Sequence, residues 1–157
     1  MPLTAGHSEY RATWRGDWLS SIQELADLAM QRATWLNPQC ENRHYSFVEY
    51  VECYFTDLLL REEEGGYPAR LADNLLSPEE AAAASQLHIV FSNYRPPTDR
   101  FDHRAILEDP EWLCVVEAAQ AAQALLATMI ARPEERERLL KTSVHAFTGA
   151  ASAYPRS

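Results

Sequence analysis

The sequence predicts an all-α protein, a single-domain bundle of four main helices with a shorter helix at the carboxyl terminus. Three observations predict it. Apolar residues recur at spacings of three and four along most of the chain. Serine or aspartate, followed by proline or glutamate, marks several helix starts. No segment alternates polar and apolar residues as a half-buried strand does.

Length and composition fit one compact domain. The chain has 157 residues, of which 46% are hydrophobic and 24% are charged, which is enough apolar material for a single core. We expect one domain over residues 1–157, with its core at about 17–148 and looser termini at 1–16 and 149–157. No apolar run approaches the roughly 20 residues that span a bilayer, and the amino terminus lacks an export pattern, so a cytoplasmic location is expected.

The first two helices are predicted from apolar stripes and capping signals. Residues 17–36 place apolar side chains along one helical face. A second helix starts at Ser46, with a capping box that Glu49 completes, and carries a broad aromatic stripe. Gly65 and Gly66 then offer a left-handed stop.

Two further capping signals and one proline predict the remaining helices. After a connector at 67–76, a capping box at Ser77 opens a third helix that runs to about residue 94. The cap and proline at Asp109 open a fourth, alanine-rich helix that runs to about residue 131. A last helix begins at Pro133, and its apolar positions are Leu139, Leu140, Val144 and Phe147.

The negative charge is concentrated in one segment. Twenty-three acidic residues against fourteen basic ones give a net charge of -9, which argues against a nucleic-acid surface held by phosphate contacts. Residues 41–64 hold seven acidic and two basic residues and therefore contribute -5 of that charge. Such a segment is either a solvated helix face or an electrostatic docking surface for a basic protein.

Aromatic residues in the same segment favour the docking interpretation. We expect that the four tyrosines of this region cannot all face the core, and an exposed tyrosine beside carboxylates is typical of a protein-binding hot spot. These tyrosines are Tyr45, Tyr50, Tyr54 and Tyr67. The predicted partner-binding residues are Glu41, Tyr45, Glu49, Glu52, Asp57, Glu62, Glu63 and Glu64.

No motif in the sequence identifies a reaction, since it has no nucleophile elbow, phosphate-binding loop or H-E-x-x-H pair. Glu41 and His44 have the Glu-x-x-His spacing of di-iron bundles, but that chemistry needs two copies and one is present. A mononuclear metal or ligand site built from His44, His88 and His103 is an alternative to protein binding. The charged segment at 99–104 is either acid-base machinery or a hydrogen-bonded brace, and we favour the brace.

The three cysteines form no C-x-x-C pair and are expected to be reduced structural thiols. Cys53 and Cys114 fall on the apolar faces of predicted helices, whereas Cys40 lies in a predicted loop and is the one expected to react. No cofactor is expected.

Three segments carry a resemblance to known proteins: residues 45–57 (YSFVEYVECYFTD), 76–80 (LSPEE) and 109–119 (DPEWLCVVEAA). Their order is similar to that in a group of small bacterial helical proteins. In gross character the chain also resembles immunity proteins, which neutralise a bacterial toxin by binding it. The resemblance covers roughly residues 20–130 and implies an all-helical fold and a cytosolic binding role, with no catalytic residue.

The predicted function is therefore a non-enzymatic protein-binding module, an immunity-like or antitoxin-like inhibitor. Its acidic, aromatic second helix would cover a basic site on a toxin domain. Two alternatives stay open. One is a small metal-binding or ligand-binding helical bundle that uses histidine and carboxylate side chains. The other is a structural subunit that forms homo-oligomers through the alanine-rich fourth helix.

Overall fold

The computed structural model describes residues 5–142, and this part of the chain contains only helices and loops, as predicted. Its eight α-helices are α1 (Ala5–Ala26), α2 (Leu28–Trp35), α3 (Phe47–Val51), α4 (Gly66–Ala72), α5 (Pro78–Asn93), α6 (His103–Glu108), α7 (Pro110–Ala127) and α8 (Pro133–Leu140). A π-helical turn (Glu52–Thr56) follows α3, and a 3-10 turn (Glu62–Glu64) precedes α4. None of these helices combines the length and the apolar character that crossing a bilayer requires.

The predicted plan of four main helices and one short helix matches this fold loosely. Two predicted helices are each divided, and two short helices lie in segments that were predicted as loops. The predicted helix positions Val144 and Phe147 and the predicted loose terminus at 149–157 lie outside the described residues.

Helix α1 begins at Ala5, so the prediction of a loose segment before residue 17 is wrong from residue 5 onward. The buried Trp14 and Trp18 rings stack with their centroids 5.6 Å apart. Burial of this large aromatic surface stabilises the extra turns. The Asp27 carboxylate then caps α2, and the single helix predicted at 17–36 is therefore two helices.

The predicted second helix is α-helical only as far as Val51. The Ser46 hydroxyl caps it as predicted, accepting the Glu49 amide at 3.2 Å. The Ser46 amide donates to the His44 carbonyl and not to the Glu49 carboxylate, as a complete capping box would require. The π turn then changes the hydrogen-bond register, and Gly65 takes the predicted left-handed conformation with φ of 92°.

Two short helices lie in the predicted loops. Helix α4 occupies most of the predicted connector at 67–76, where the buried Arg70 guanidinium donates to two backbone carbonyls of the preceding segment. Helix α6 starts within the charged segment at 99–104, and Asp102 accepts an amide of its first turn. A carboxylate in that position caps a helix, which fits the brace interpretation of the segment.

Helices α1, α5 and α7 surround the core, and α8 packs on α1. The predicted starts of α5 and α7 are confirmed: Ser77 and Glu80 form a complete capping box, and Asp109 caps α7. Trp112 of α7 is fully buried among aromatic rings. The core is therefore centred on α7.

Two of the alanines of α7 pack within the chain. Ala119 and Ala122 are buried, and small side chains at such positions let neighbouring helices approach closely. The helix ends at Ala127, short of the predicted residue 131. Ala119 and Ala122 therefore pack against neighbouring helices of the same chain.

One buried ion network joins three helices. Arg15 of α1 donates to Glu80 of α5 through two nitrogens, at 2.7 and 2.9 Å, and to Glu135 of α8 at 2.8 Å. Burial by itself would lower the pKa of Arg15, but the two carboxylates outweigh burial and raise it. Likewise, burial would raise the pKa of Glu80, but bonds from Arg15 and Ser77 lower it. The network therefore holds the Glu80 carboxylate in its charged form.

Candidate functional site

A groove of about 910 Å³ lies between α3, the π turn, α4 and α5. Pockets that bind ligands usually measure roughly 300–1,000 Å³. Within the groove, the rings of Phe55 and Phe91 pack with centroids 4.9 Å apart. The aromatic side chains that line it are Phe47, Phe55, Tyr67, His88, Phe91 and Tyr94.

Irregular backbone forms one wall of the groove. In the π turn the Asp57 amide donates to the Glu52 carbonyl, five residues earlier, at 2.9 Å, and such turns are frequent at functional sites. Leu59 then has a φ of 56°, which costs a non-glycine residue about 1–3 kcal/mol. Gly65 and Gly66, also with positive φ, bring backbone into the lining. Irregular backbone therefore forms this side of the groove.

Charged side chains of both signs border the groove. Glu62 and Glu63 are exposed on the 3-10 turn, and Arg95 and Arg100 follow α5 in the chain. The Arg95 guanidinium donates to two carbonyls at the end of α5. Glu62 and Glu63 are two of the seven acidic residues of the predicted docking surface.

A buried chain of hydrogen bonds ends at the groove. The Trp18 indole donates to the Tyr67 hydroxyl at 2.8 Å, and the hydroxyls of Tyr67 and Tyr54 are 2.9 Å apart. The Tyr54 hydroxyl is 3.1 Å from Nδ1 of His88. Burial raises the pKa of both tyrosines and lowers that of His88, so all three groups are neutral at neutral pH.

The tyrosines of the acidic segment are all buried, so the expectation that some would be exposed is wrong. Tyr45, Tyr50, Tyr54 and Tyr67 are each at most 7% exposed. The π turn divides the predicted helix, and side chains on either side of it therefore reach the core from different directions. Tyr45, predicted to bind a partner, packs edge-on against His44 and is not accessible as an anchor.

The predicted carboxylates do not share one face. Glu62 and Glu63 line the groove, whereas Asp57 lines a separate, smaller cavity. Burial raises the pKa of Asp57, and the neighbouring Glu52 and Asp17 carboxylates raise it further. The predicted acidic residues that line neither cavity are Glu41, Glu49, Glu52 and Glu64.

That smaller cavity, of about 80 Å³, has a polar lining of Asp17, Ser20, Ser21, Glu24, His44, Cys53 and Asp57. The buried His44 bonds Glu24 through Nε2, and its Nδ1 is 4.0 Å from the Cys53 sulfur. A thiol, an imidazole and a carboxylate in this order resemble a nucleophile with its base. Burial raises the pKa of Cys53, however, and the Glu24 and Asp57 carboxylates raise it further. The thiol therefore stays protonated, and we interpret the arrangement as structural.

The three histidines considered as a metal site have separate surroundings. His44 and His88 have the partners described above, and Nδ1 of His103 is 3.3 Å from the Trp35 carbonyl. Across residues 5–142, no group of three or more histidine, cysteine, aspartate or glutamate side chains is placed to hold a metal ion. Of these three histidines, His88 lines the groove and His44 lines the smaller cavity.

The three cysteines are free thiols. Cys114 is exposed, so the prediction of its burial is wrong, because Trp112 and Val115 set the buried face of α7. Cys53 is partly buried. Cys40, predicted to lie in a loop and to be the thiol that reacts, is partly buried against the core.

Sequence reasoning did not find the groove, because its lining comes from segments that lie far apart in the chain. Phe55 and Phe91 lie on the apolar stripes of the second and third predicted helices, and His88 was predicted only as part of a metal or ligand site with His44 and His103. The pair Gly65 and Gly66 is the one local signal of an irregular wall that the sequence contains.

The fold and the site together define a small all-helical protein with an aromatic groove bordered by charges of both signs. Comparison of the chain with protein-family models, with curated proteins and with solved structures finds no match. Its function is therefore argued from the groove itself.

Proposed function

We propose that this protein is a non-enzymatic protein-binding module, a cytoplasmic inhibitor of the immunity or antitoxin type that occludes a basic site on a toxin partner. The observation that carries the proposal is the aromatic groove with exposed Glu62 and Glu63 at its border. Apolar pockets supply most of the affinity of protein interfaces, and complementary charge supplies orientation and a faster association.

The proposed occupant is a segment of the partner that carries a large apolar side chain next to a lysine or arginine. The apolar side chain would fill the space beside Phe55 and Phe91, and the cation would face Glu62 and Glu63. Ile89, which lines the groove and is 51% exposed, would lose its solvent contact.

This proposal reverses one part of the hypothesis drawn from the sequence. Because Tyr45 is buried, the partner supplies the anchor and this protein supplies the pocket. The other predicted carboxylates add to the negative potential that attracts a basic partner, within about 10 Å at 0.1 M salt. They are Glu41, Glu49, Glu52, Asp57 and Glu64.

Filling the groove is expected to abolish binding. Ser85 is exposed and lines the groove, so S85W places an indole over the aromatic lining. Peptides selected from a phage-displayed library on the purified protein are expected to combine an aromatic or aliphatic residue with lysine or arginine. S85W should weaken their binding, measured by fluorescence anisotropy, by about 100-fold, the effect of losing one strong anchor.

A matched control lies on the same helix. Gln86 is also exposed but does not line the groove, and Q86W should bind the selected peptides as tightly as the wild type. Equal weakening by S85W and Q86W would contradict the placement of the site. Selected peptides that lack an apolar residue would contradict the proposed anchor.

Reversing the charge of the 3-10 turn is expected to lower the affinity for the same peptides by about tenfold at low salt. At high salt the affinities of the variant and the wild type should differ little. The variant is E62K/E63K/E64K. Its control, E9K/E108K/E117K, changes the net charge by the same amount at exposed positions outside the groove. If the control weakens binding as much as the variant, the acidic turn has no local role.

A second candidate function is the binding of a small organic molecule in the same groove, which retains the ligand-binding alternative from the sequence. The groove volume of about 910 Å³ favours it. A thermal-shift screen with aromatic acids and amines tests it. Stabilising compounds that lose their effect in S85W, together with no selected peptide, would replace the first candidate by the second.

A further inference from the structure

The hydrogen bonds behind the groove determine which nitrogen of His88 carries a proton. An indole can only donate, so the Tyr67 oxygen accepts the bond from Trp18. Tyr67 then directs its own proton to the Tyr54 oxygen, 2.9 Å away, and Tyr54 directs its proton to Nδ1 of His88.

The reverse direction leaves one buried proton without an acceptor. If Nδ1 of His88 donated to Tyr54 and Tyr54 donated to Tyr67, the proton of the Tyr67 hydroxyl would have no acceptor within the described residues. Tyr54 and Tyr67 are both buried, and an unpaired buried donor is costly. The chain of bonds therefore runs from Trp18 outward to the groove.

This direction leaves Nε2 of His88 as the protonated nitrogen. Among the described residues no group bonds Nε2, and His88 lines the groove. Its ring is held by Phe55 and Tyr67, with centroids 5.8 and 5.0 Å away. Burial lowers the pKa of His88, so the ring is a neutral donor in a fixed orientation at neutral pH.

We propose that His88 positions the bound partner segment in the groove, and that its Nε2–H donates a hydrogen bond to a backbone carbonyl of that segment. This inference rests on the proposed protein-binding function. A neutral donor suits an uncharged carbonyl, whereas a carboxylate would favour a protonated ring. An extended segment that inserts an apolar side chain beside Phe55 carries such a carbonyl on every residue.

Nitrogen NMR of the isotopically labelled full chain tests the tautomer without any partner. At about pH 7.5, above the ordinary pKa of histidine, Nδ1 of His88 should show the shift of an unprotonated ring nitrogen and Nε2 that of a protonated one. The H88Q spectrum assigns the signals. Y54F removes the donor to Nδ1 and should give averaged shifts. A protonated Nδ1 in the wild type would overturn the inference.

The peptides selected on the wild type test the role of the donor. In H88Q the side-chain amide can still donate near the position of Nε2, so the affinity should stay within about threefold of the wild type. H88N places its amide near Nδ1 and should weaken binding by about tenfold. Wild-type affinity in H88N would overturn the role of His88 and leave the groove proposal standing. Failure to select any peptide would overturn both proposals, and the NMR result would still report the tautomer.

Discussion

An Arg15→Met variant is expected to lose about 3–5 kcal/mol of the free energy of unfolding, because it leaves two buried carboxylates without their counter-charge. The side chains of Glu80 and Glu135 are only 9% and 11% exposed, so water cannot replace the guanidinium. Glu80 also accepts the Ser77 amide at 2.8 Å, and the loss therefore extends to the cap of α5. Urea titration followed by far-UV circular dichroism measures the change.

Arg11→Met is the matched control for this variant. Arg11 lies one turn earlier on α1, and its Nε donates to the Asn74 carbonyl at 2.8 Å in a solvent-exposed contact. The R11M variant should lose less than about 1 kcal/mol of the free energy of unfolding. Equal losses in the two variants would mean that Glu80 and Glu135 are satisfied without Arg15.

The Arg15 network also predicts a pH dependence. Folding lowers the pKa of Glu80 from its ordinary value of 4.5, so the unfolded chain binds a proton more readily than the folded one. The stabilisation from Glu80 is therefore complete above that ordinary value and is lost as the pH falls through the lowered pKa of the folded state. Over this acidic range, the free energy of unfolding of the R15M variant should fall less than that of the wild type.

Trp112→Ala is expected to lower the free energy of unfolding by about 3–5 kcal/mol through the cavity that it leaves. Trp112 is fully buried, and its ring lies 5.6 Å from that of Phe47 and 5.2 Å from that of Tyr94. Its indole donates to the Gln31 side chain at 2.9 Å. Gln31 in turn donates to carbonyls near the end of α1, so the substitution also releases the contact between α1, α2 and α7.

Trp112→Phe separates the two contributions. Phenylalanine keeps most of the apolar volume but cannot donate to Gln31. We therefore expect this variant to lose about 1–2 kcal/mol of the free energy of unfolding. Urea titration followed by circular dichroism serves for both variants, since it does not depend on tryptophan fluorescence. If the alanine variant were no less stable than the phenylalanine variant, the packing of Trp112 would contribute little.

Helix starts were the most predictable part of this fold. Ser77 and Asp109 were identified as caps from the residues beside them, and both accept the expected amides. A cap depends on bonds that span two or three residues, so sequence alone contains the information. The left-handed conformation of Gly65 was predictable for the same reason.

Helix lengths were less predictable, because packing at a distance decides them. Residues 5–16 carry no strong start signal, yet they are helical, with Trp14 stacked on Trp18 and Arg15 bonded to α5 and α8. The π turn at Glu52–Thr56 likewise lacks a local signal. Tyr54 and Phe55 lie within this turn and belong to the aromatic stripe that predicts a regular helix. Only the backbone hydrogen bonds of the folded chain show the change in register.

The sequence by itself determined that the chain is helical, where three of its helices start and that its negative charge is concentrated at residues 41–64, since composition and capping are local properties. Tertiary structure alone decided which of those side chains are accessible. It buried Tyr45 and placed Glu62 and Glu63 at the border of an aromatic groove. It also brought Phe55 and His88 together, 33 residues apart in the chain, because a groove between helices depends on long-range packing that no local pattern encodes.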